Sequence, residues 1–365
     1  MKAAYIEKNG GPEVFNYGDL PDPKAGAGEI VVDIAAATVN GADWKVRNGD
    51  YGTAMKFPYV LGRDFSGTVA ALGEGVTDFK VGDEVFAVLP AGQEGTYAEK
   101  LAIKAEFVAK KPAGLSHVNA AVLALTGLTA INSVDDTLKL KRGETILIQG
   151  GAGGVAGFAV QFAKHLGARV ISTASAANLD YVRALGADQV IDYGKEDFTK
   201  IGQVCDALFE TVGGEVAVKS YEVLKPGGRA AFIASGQKAP PPTRTDVQGL
   251  RPPVPRTRAA MERIAQLAVS GAVKPPEVKL FKLSAAAETH RISQGRTQER
   301  IKGNRRPRHL TLLVQVTAQS KSHDLFRLLR QLCLTQSRIP FAKSYCGIST
   351  ARKAMPCDRR RNSYA

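Results

Sequence analysis

Along residues 1–120 the apolar positions come in short runs, at 1–6, 29–37, 65–72, 84–87 and 97–103, set apart by glycine and proline. That spacing predicts short β-strands joined by turns. The texture changes at 112–130, where the Ala/Leu-rich stretch 119–130 has the length and spacing of a helix. Beyond it, apolar strand candidates at 145–149, 169–173, 189–192, 207–211 and 229–234 alternate with helical patterns at 155–166, 179–185 and 216–224. Such alternation predicts a parallel sheet covered on both faces by helices. A proline-rich link at 239–255 breaks the rhythm before another helix at 258–270. Proline cannot serve a central strand, so the link is expected at the surface near a domain or subunit boundary.

With 365 residues, 44% of them hydrophobic, the chain is long enough for two domains with real cores. It holds no apolar run of roughly 18 residues or more, and residues 1–5 lack the apolar core of a secretory signal and the Arg/Ser-rich texture of a presequence. The expectation is a soluble, cytoplasmic protein without a membrane span. Four cysteines do not make a disulfide scaffold. A net charge of +14 points at first to nucleic acid or an anionic surface. Residues 299–365, however, carry 15 Lys and Arg against 3 acids, a net of +12, whereas residues 1–298 carry 34 against 32, a net of +2. Cys333, Cys346 and Cys357 also lie in that tail, and Cys205 reads as a buried small hydrophobe in the body.

The most informative local chemistry is Thr145-Ile-Leu-Ile-Gln-Gly-Gly-Ala-Gly-Gly-Val-Ala-Gly157. Gly151 permits a tight turn, Gly153 lets the backbone approach a pyrophosphate, and Ala156 lets helix and strand pack closely. Gly154 and Val155 open the helix whose N-terminus would receive the phosphate. The pattern carries weight because a strand precedes it and a helix follows. An NAD site places an acid about 20 residues on, yet the stretch from Val170 to Ser175 has none, which favours NADP. Ser175 and Asn178 are candidate partners of the extra phosphate. Tyr193 either covers the adenosine or is an ordinary strand-end aromatic.

These pieces, together with Thr38-Val-Asn-Gly-Ala-Asp43, Leu61-Gly-Arg-Asp-Phe-Ser-Gly67, Gly95-Thr-Tyr-Ala-Glu99, Leu125-Thr-Gly-Leu-Thr-Ala130, Thr211-Val-Gly-Gly214 and Leu224-Lys-Pro-Gly-Gly228, resemble the medium-chain dehydrogenase/reductase superfamily over residues 1–298. Within it the likeness is to the zinc-free quinone oxidoreductase, zeta-crystallin-like, branch. The resemblance implies an α/β fold with a GroES-like β-rich catalytic domain and a Rossmann domain with a doubly wound parallel sheet. Its divisions are expected at 1–120 (first part of the catalytic domain), 121–270 (NADP-binding), 271–298 (return to the catalytic domain) and 299–365 (an atypical basic tail). It also implies a homodimer. Zinc-dependent relatives carry Cys and His ligands where this chain has Asn40 to Asp43 and Gly62 to Asp64, so no metal is expected.

The chemistry left is hydride delivery from NADPH to an acceptor that is already electrophilic, a quinone or an α,β-unsaturated carbonyl. By resemblance Asn40 is the active-site Asn, Tyr51 lines the substrate cleft, Thr126 approaches the nicotinamide, and Val212 joins the cofactor residues. Arg63 and Asp64 are expected to form a structural ion pair or turn contact. The proton donor is left between solvent and Tyr51. In the tail, 310–316 could replace the family's closing strand, and 324–333 has the spacing of an amphipathic helix. Three readings of the tail stand open: an electrostatic arm for RNA or anionic lipid, a docking extension, and an addition without evolved function. The alternative to the enzyme is a nucleotide-binding RNA or protein-interaction factor acting through this tail.

Overall fold

A computed structural model describes residues 1–52, 55–234, 238–301 and 311–315. In chain order, β1 (Lys2–Ile6), β2 (Phe15–Asp19) and β3 (Glu29–Thr38) precede helix α1 (Gly41–Asn48). Then come β4 (Tyr59–Val60), β5 (Asp64–Leu72), β6 (Glu84–Val88), β7 (Lys100–Lys104), β8 (Ala109–Lys110) and helix α2 (His117–Ile131). The next stretch comprises β9 (Thr145–Ile148), α3 (Gly154–His165), β10 (Arg169–Ala174), α4 (Leu179–Ala184), β11 (Gln189–Asp192), β12 (Cys205–Glu210), α5 (Glu215–Lys219) and β13 (Leu224–Phe232). After it follow β14 (Gln248–Leu250), α6 (Arg258–Val269), β15 (Val278–Lys282), α7 (Ala286–Ile301) and β16 (Thr311–Gln315).

The six strands β9 to β14 pair in parallel, in the order β11-β10-β9-β12-β13-β14. Numbered from β9, this is the 3-2-1-4-5-6 order of a dinucleotide-binding fold, with its crevice beyond the carboxyl ends of β9 and β12. The strands read as near-continuous apolar runs because helices bury them on both sides: Ile146, Ile148, Val170, Ala207 and Phe209 share a core with α2, α3 and α6, and Leu147, Ile171 and Leu208 share another with α5. Edge strand β14 sits inside the proline-rich link, at a position where flanking prolines cost no central hydrogen bonds. Cys205 is fully buried, and desolvation pushes its thiol up to about 12.

The other half is antiparallel over most of its pairings. β3 is its long strand, paired with β5 on one side and with β7 and β16 on the other. β16 lies between β15 and β3, so the strand expected at 310–316 is present and fills the sheet. A separate three-stranded sheet runs β2-β1-β4. A second core, including Ile30, Val32, Phe65, Val85 and Leu101, fills the interior of this half. Arg258 ties the halves together, donating to Asp78 at 2.6 Å and to the carbonyl of Ala105 at 2.6 Å.

Five strands were not expected from the apolar pattern: β2, β4, β8, β14 and β15. Three of them have two or three residues, and β2 and β15 are partly exposed throughout, so none shows a buried alternation. Helix α1 was also missed, although Asn40 and Asp43 hold an N-cap and its third position and the Asp43 carboxylate accepts from the Asn40 N–H at 2.8 Å. Residues 117–137 form a helix long and apolar enough to cross a membrane by composition, yet 67% of its apolar 18-residue window is buried inside the protein. The helix expected at 324–333 and Cys333, Cys346 and Cys357 lie outside the described residues.

Candidate active site

The chain leaves β9 and turns through Gly150, whose φ of +71° suits glycine. A Cβ at Gly151 would stand 2.2 Å from Ser172 Oγ and 2.9 Å from Val182 Cγ1, so this close approach of loop to sheet excludes any side chain. Gly153 then caps α3 without any side-chain hydrogen bond. The first turn of α3, carrying Gly154, Val155 and Ala156, therefore faces the crevice with no side chain competing for its amides. This cradle at the switch point of the sheet fits a dinucleotide pyrophosphate.

Around the loop, Val212 Cγ2 lies 3.3 Å from the position a Gly150 Cβ would take, which places this side chain over the turn. The backbone amides of Val212 and Gly213 donate to Glu210, fixing the end of β12. At the end of β10, Asn178 Nδ2 donates to Ser175 Oγ at 2.8 Å, so these two expected phosphate partners are adjacent. No acid follows β10 directly. Asp192 stands opposite Ala174 on the neighbouring strand and accepts from the Gly194 N–H. Tyr193, after β11, is 45% exposed and free to cover a bound ring.

Thr126 lines one cavity together with Gly154, Gly157, Phe158 and Tyr181, which brings α2 against the glycine loop. Its hydroxyl donates to the Val122 carbonyl at 2.6 Å, a bond back along its own helix. Asn40 is reached from the other half. Its Nδ2 donates to Thr38 Oγ1 and to Asp64 Oδ1, each at 3.1 Å. Asp64 in turn lies beside the Leu125 backbone of α2, next to Thr126. Asn40, Asp64, Thr126 and the glycine loop are thus contiguous. Tyr51 is 48% exposed; burial raises its pKa, with Arg63 and Arg251 opposing the rise, so the phenol keeps its proton.

A buried polar network that the sequence did not announce supports this side. Arg63 binds Glu94 at 2.9 Å and approaches Asp43 at 3.5 Å. The Tyr97 hydroxyl donates to Asp43 at 2.8 Å and lies 3.3 Å from His290 Nε2, and His290 Nδ1 meets Arg47 at 3.2 Å. The expected pairing of Arg63 with Asp64 is therefore corrected. The two are consecutive residues at the entry of β5, their side chains diverge, and Asp64 has hydrogen-bond donors and, among the described residues, no salt-bridge partner. Desolvation holds Asp64 and Glu94 up at about 7 each, and it pushes His290 down to about 3. An acid in the apolar run Leu61-Gly-Arg-Asp-Phe-Ser-Gly67 was the signal available for Asp64. Among the described residues no group of three or more His, Cys, Asp or Glu side chains is arranged to hold a metal ion.

Residues 26–113 match the alcohol dehydrogenase GroES-like domain, and residues 154–252 match the zinc-binding dehydrogenase family. The chain is 32% identical over 288 residues to the chloroplastic NADPH-dependent alkenal/one oxidoreductase of Arabidopsis thaliana, covering 75% of this chain and 71% of that one. It is 30% identical over 322 residues to 2-haloacrylate reductase from a Burkholderia species, covering 81% of this chain and 96% of the relative. Among solved structures, the Escherichia coli quinone oxidoreductase complexed with NADPH superposes with a TM-score of 0.76 at 26% identity, covering 86% of this chain and all of that one.

Proposed function

Since the chain belongs to the medium-chain dehydrogenase/reductase superfamily, we propose that it is an NADPH-dependent oxidoreductase that reduces quinones or α,β-unsaturated carbonyl compounds without a metal ion. The observation that carries this reading is the N-terminus of α3, uncapped by any side chain among the described residues, at the switch point of a 3-2-1-4-5-6 sheet, with Thr126 and Gly154 lining one cavity beside it. The names of the relatives, alkenal/one, 2-haloacrylate and quinone reductases, share one chemistry: an acceptor polarised by its own carbonyl.

NADPH, when bound, supplies the hydride. The first turn of α3 and the turn at Gly151 to Gly153 would hold the pyrophosphate, Ser175 and Asn178 would bind the adenosine phosphate, and Tyr193 and Val212 would pack against the cofactor. The Thr126 hydroxyl donates its hydrogen bond to the Val122 carbonyl, so Thr126 offers the cofactor its lone pairs and methyl group. Asn40 spends both Nδ2 hydrogens on Thr38 and Asp64, which leaves its carbonyl oxygen as the group for the cleft. Tyr51, protonated and at the cleft mouth, donates to the acceptor oxygen as negative charge gathers there. A homodimer and a cytoplasmic location belong to the same reading.

NADPH consumption screened over quinones and enones, with and without a chelator, tests it. Turnover that needs an enone or quinone and ignores the chelator is expected; turnover that requires added zinc, or none with any such acceptor, overturns it.

A further inference from the structure

Asp64 is fully buried and takes no part in the hydride chemistry assigned above. It nevertheless touches three elements that carry the site. Its Oδ1 accepts from Thr38 at the end of β3 and from Asn40 at the start of α1, and the Leu125 backbone of α2 lies beside the same carboxyl. Its Oδ2 is buried without a hydrogen-bond partner among the described residues. The titratable and charged groups facing it are Asp43 on α1, Tyr97 ahead of β7 and Arg256 after β14.

Resting on the functional reading above, we infer that Asp64 is a positioning residue which sets the face that the Asn40 carboxamide turns to the cofactor cleft. An ionised carboxyl only accepts, so it obliges Asn40 to turn its N–H inward and its carbonyl oxygen outward. A protonated carboxyl can also donate, and then either face of the amide satisfies it. Burial pushes this carboxyl up to about 7 against the hydrogen bond from Thr38, with the like charge of Asp43 adding to the rise. The choice of amide face is therefore enforced above neutrality and relaxed below it. Asn40 discriminates a donor from an acceptor on its ligand according to the charge on Asp64.

NADPH binding to the full chain, followed by nucleotide fluorescence without any acceptor, tests this between about pH 6 and about pH 8. Wild-type affinity is expected to tighten about fivefold with rising pH, the difference between a hydrogen bond to a charged and to a neutral partner. Asp64→Asn can still accept from Thr38 and Asn40 but cannot titrate, so it loses that step. Asp64→Ala, checked for folding by its thermal transition, is expected to bind about tenfold more weakly at the higher pH. Titration of the nucleotide's own phosphate is common to all three proteins and cancels in the comparison. A step in Asp64→Asn as large as that of the wild type, or wild-type affinity at the higher pH in a folded Asp64→Ala, overturns the inference. Wild-type protein that binds NADPH without a step overturns it while leaving the function standing; wild-type protein that binds no NADPH overturns both.

Discussion

The two halves of the molecule build the candidate site from opposite materials. The parallel sheet offers backbone: a turn too tight for a Cβ at Gly151 and a helix start that no side chain caps. The antiparallel half offers buried charge: Asp43, Asp64, Arg63, Glu94 and Tyr97 in one network behind Asn40. A backbone cradle is insensitive to pH and intolerant of added volume. A charged network tolerates small shape changes and is sensitive to every proton. The difference teaches where to look for each kind of fault in this enzyme.

Several substitutions would break or sharpen that contrast. The largest effect is expected from length. Ending the chain after Gln298 deletes β16 from between β15 and β3, and soluble yield or thermal unfolding should show a severe loss. A chain ending after Ala318 keeps β16, and its NADPH turnover should equal that of the full chain. Next, Gly151→Val forces atoms into Ser172 and Val182 and should weaken NADPH binding by about 100-fold or more, measured by titration. In the charged half, Asp43→Ala leaves Arg63 with Glu94 alone and removes the acceptor of the Tyr97 hydroxyl, and should cost about 3 kcal/mol in denaturant unfolding.

A finer contrast lies in pH. The folded state keeps the Asp64 proton up to about 7 while the unfolded chain releases it near 3.8, so this residue lowers stability as pH climbs through that window. Asp64→Asn should therefore raise the thermal midpoint more at about pH 8 than at about pH 5. His290 works in reverse: neutral in the fold down to about 3 and protonated in the unfolded chain below 6.5, it lowers stability as pH falls through that range. His290→Gln should flatten the acid limb of the same curve. The smallest effect is expected in the parallel half, where Tyr221→Phe removes only the hydrogen bond to the Pro240 carbonyl and should cost about 1 kcal/mol.

What the sequence disclosed follows the same division. The glycine loop was legible because its strand, turn and helix are contiguous, and so was the alternation that makes the parallel sheet. The network around Asn40 was not, because its members come from β3, α1, β5, the segment before β7 and α7, and meet only in space. Asp43 three residues after Asn40 was a local signal for α1 that the glycines and polar residues around it concealed. For β16, the apolar run marked a strand, while its partners depended on a sheet assembled from distant segments.

That last strand has a consequence for synthesis. β16 lies against β3 at Ala36, Ala37 and Thr38, the approach to Asn40. On the ribosome, the first strands of this sheet emerge nearly 300 residues before the one that closes it, and the parallel sheet can form in between. Throughout that interval the edge of β3 beside Thr38 stands open to pair with another chain, which makes the nascent protein most exposed to misassembly next to its candidate site.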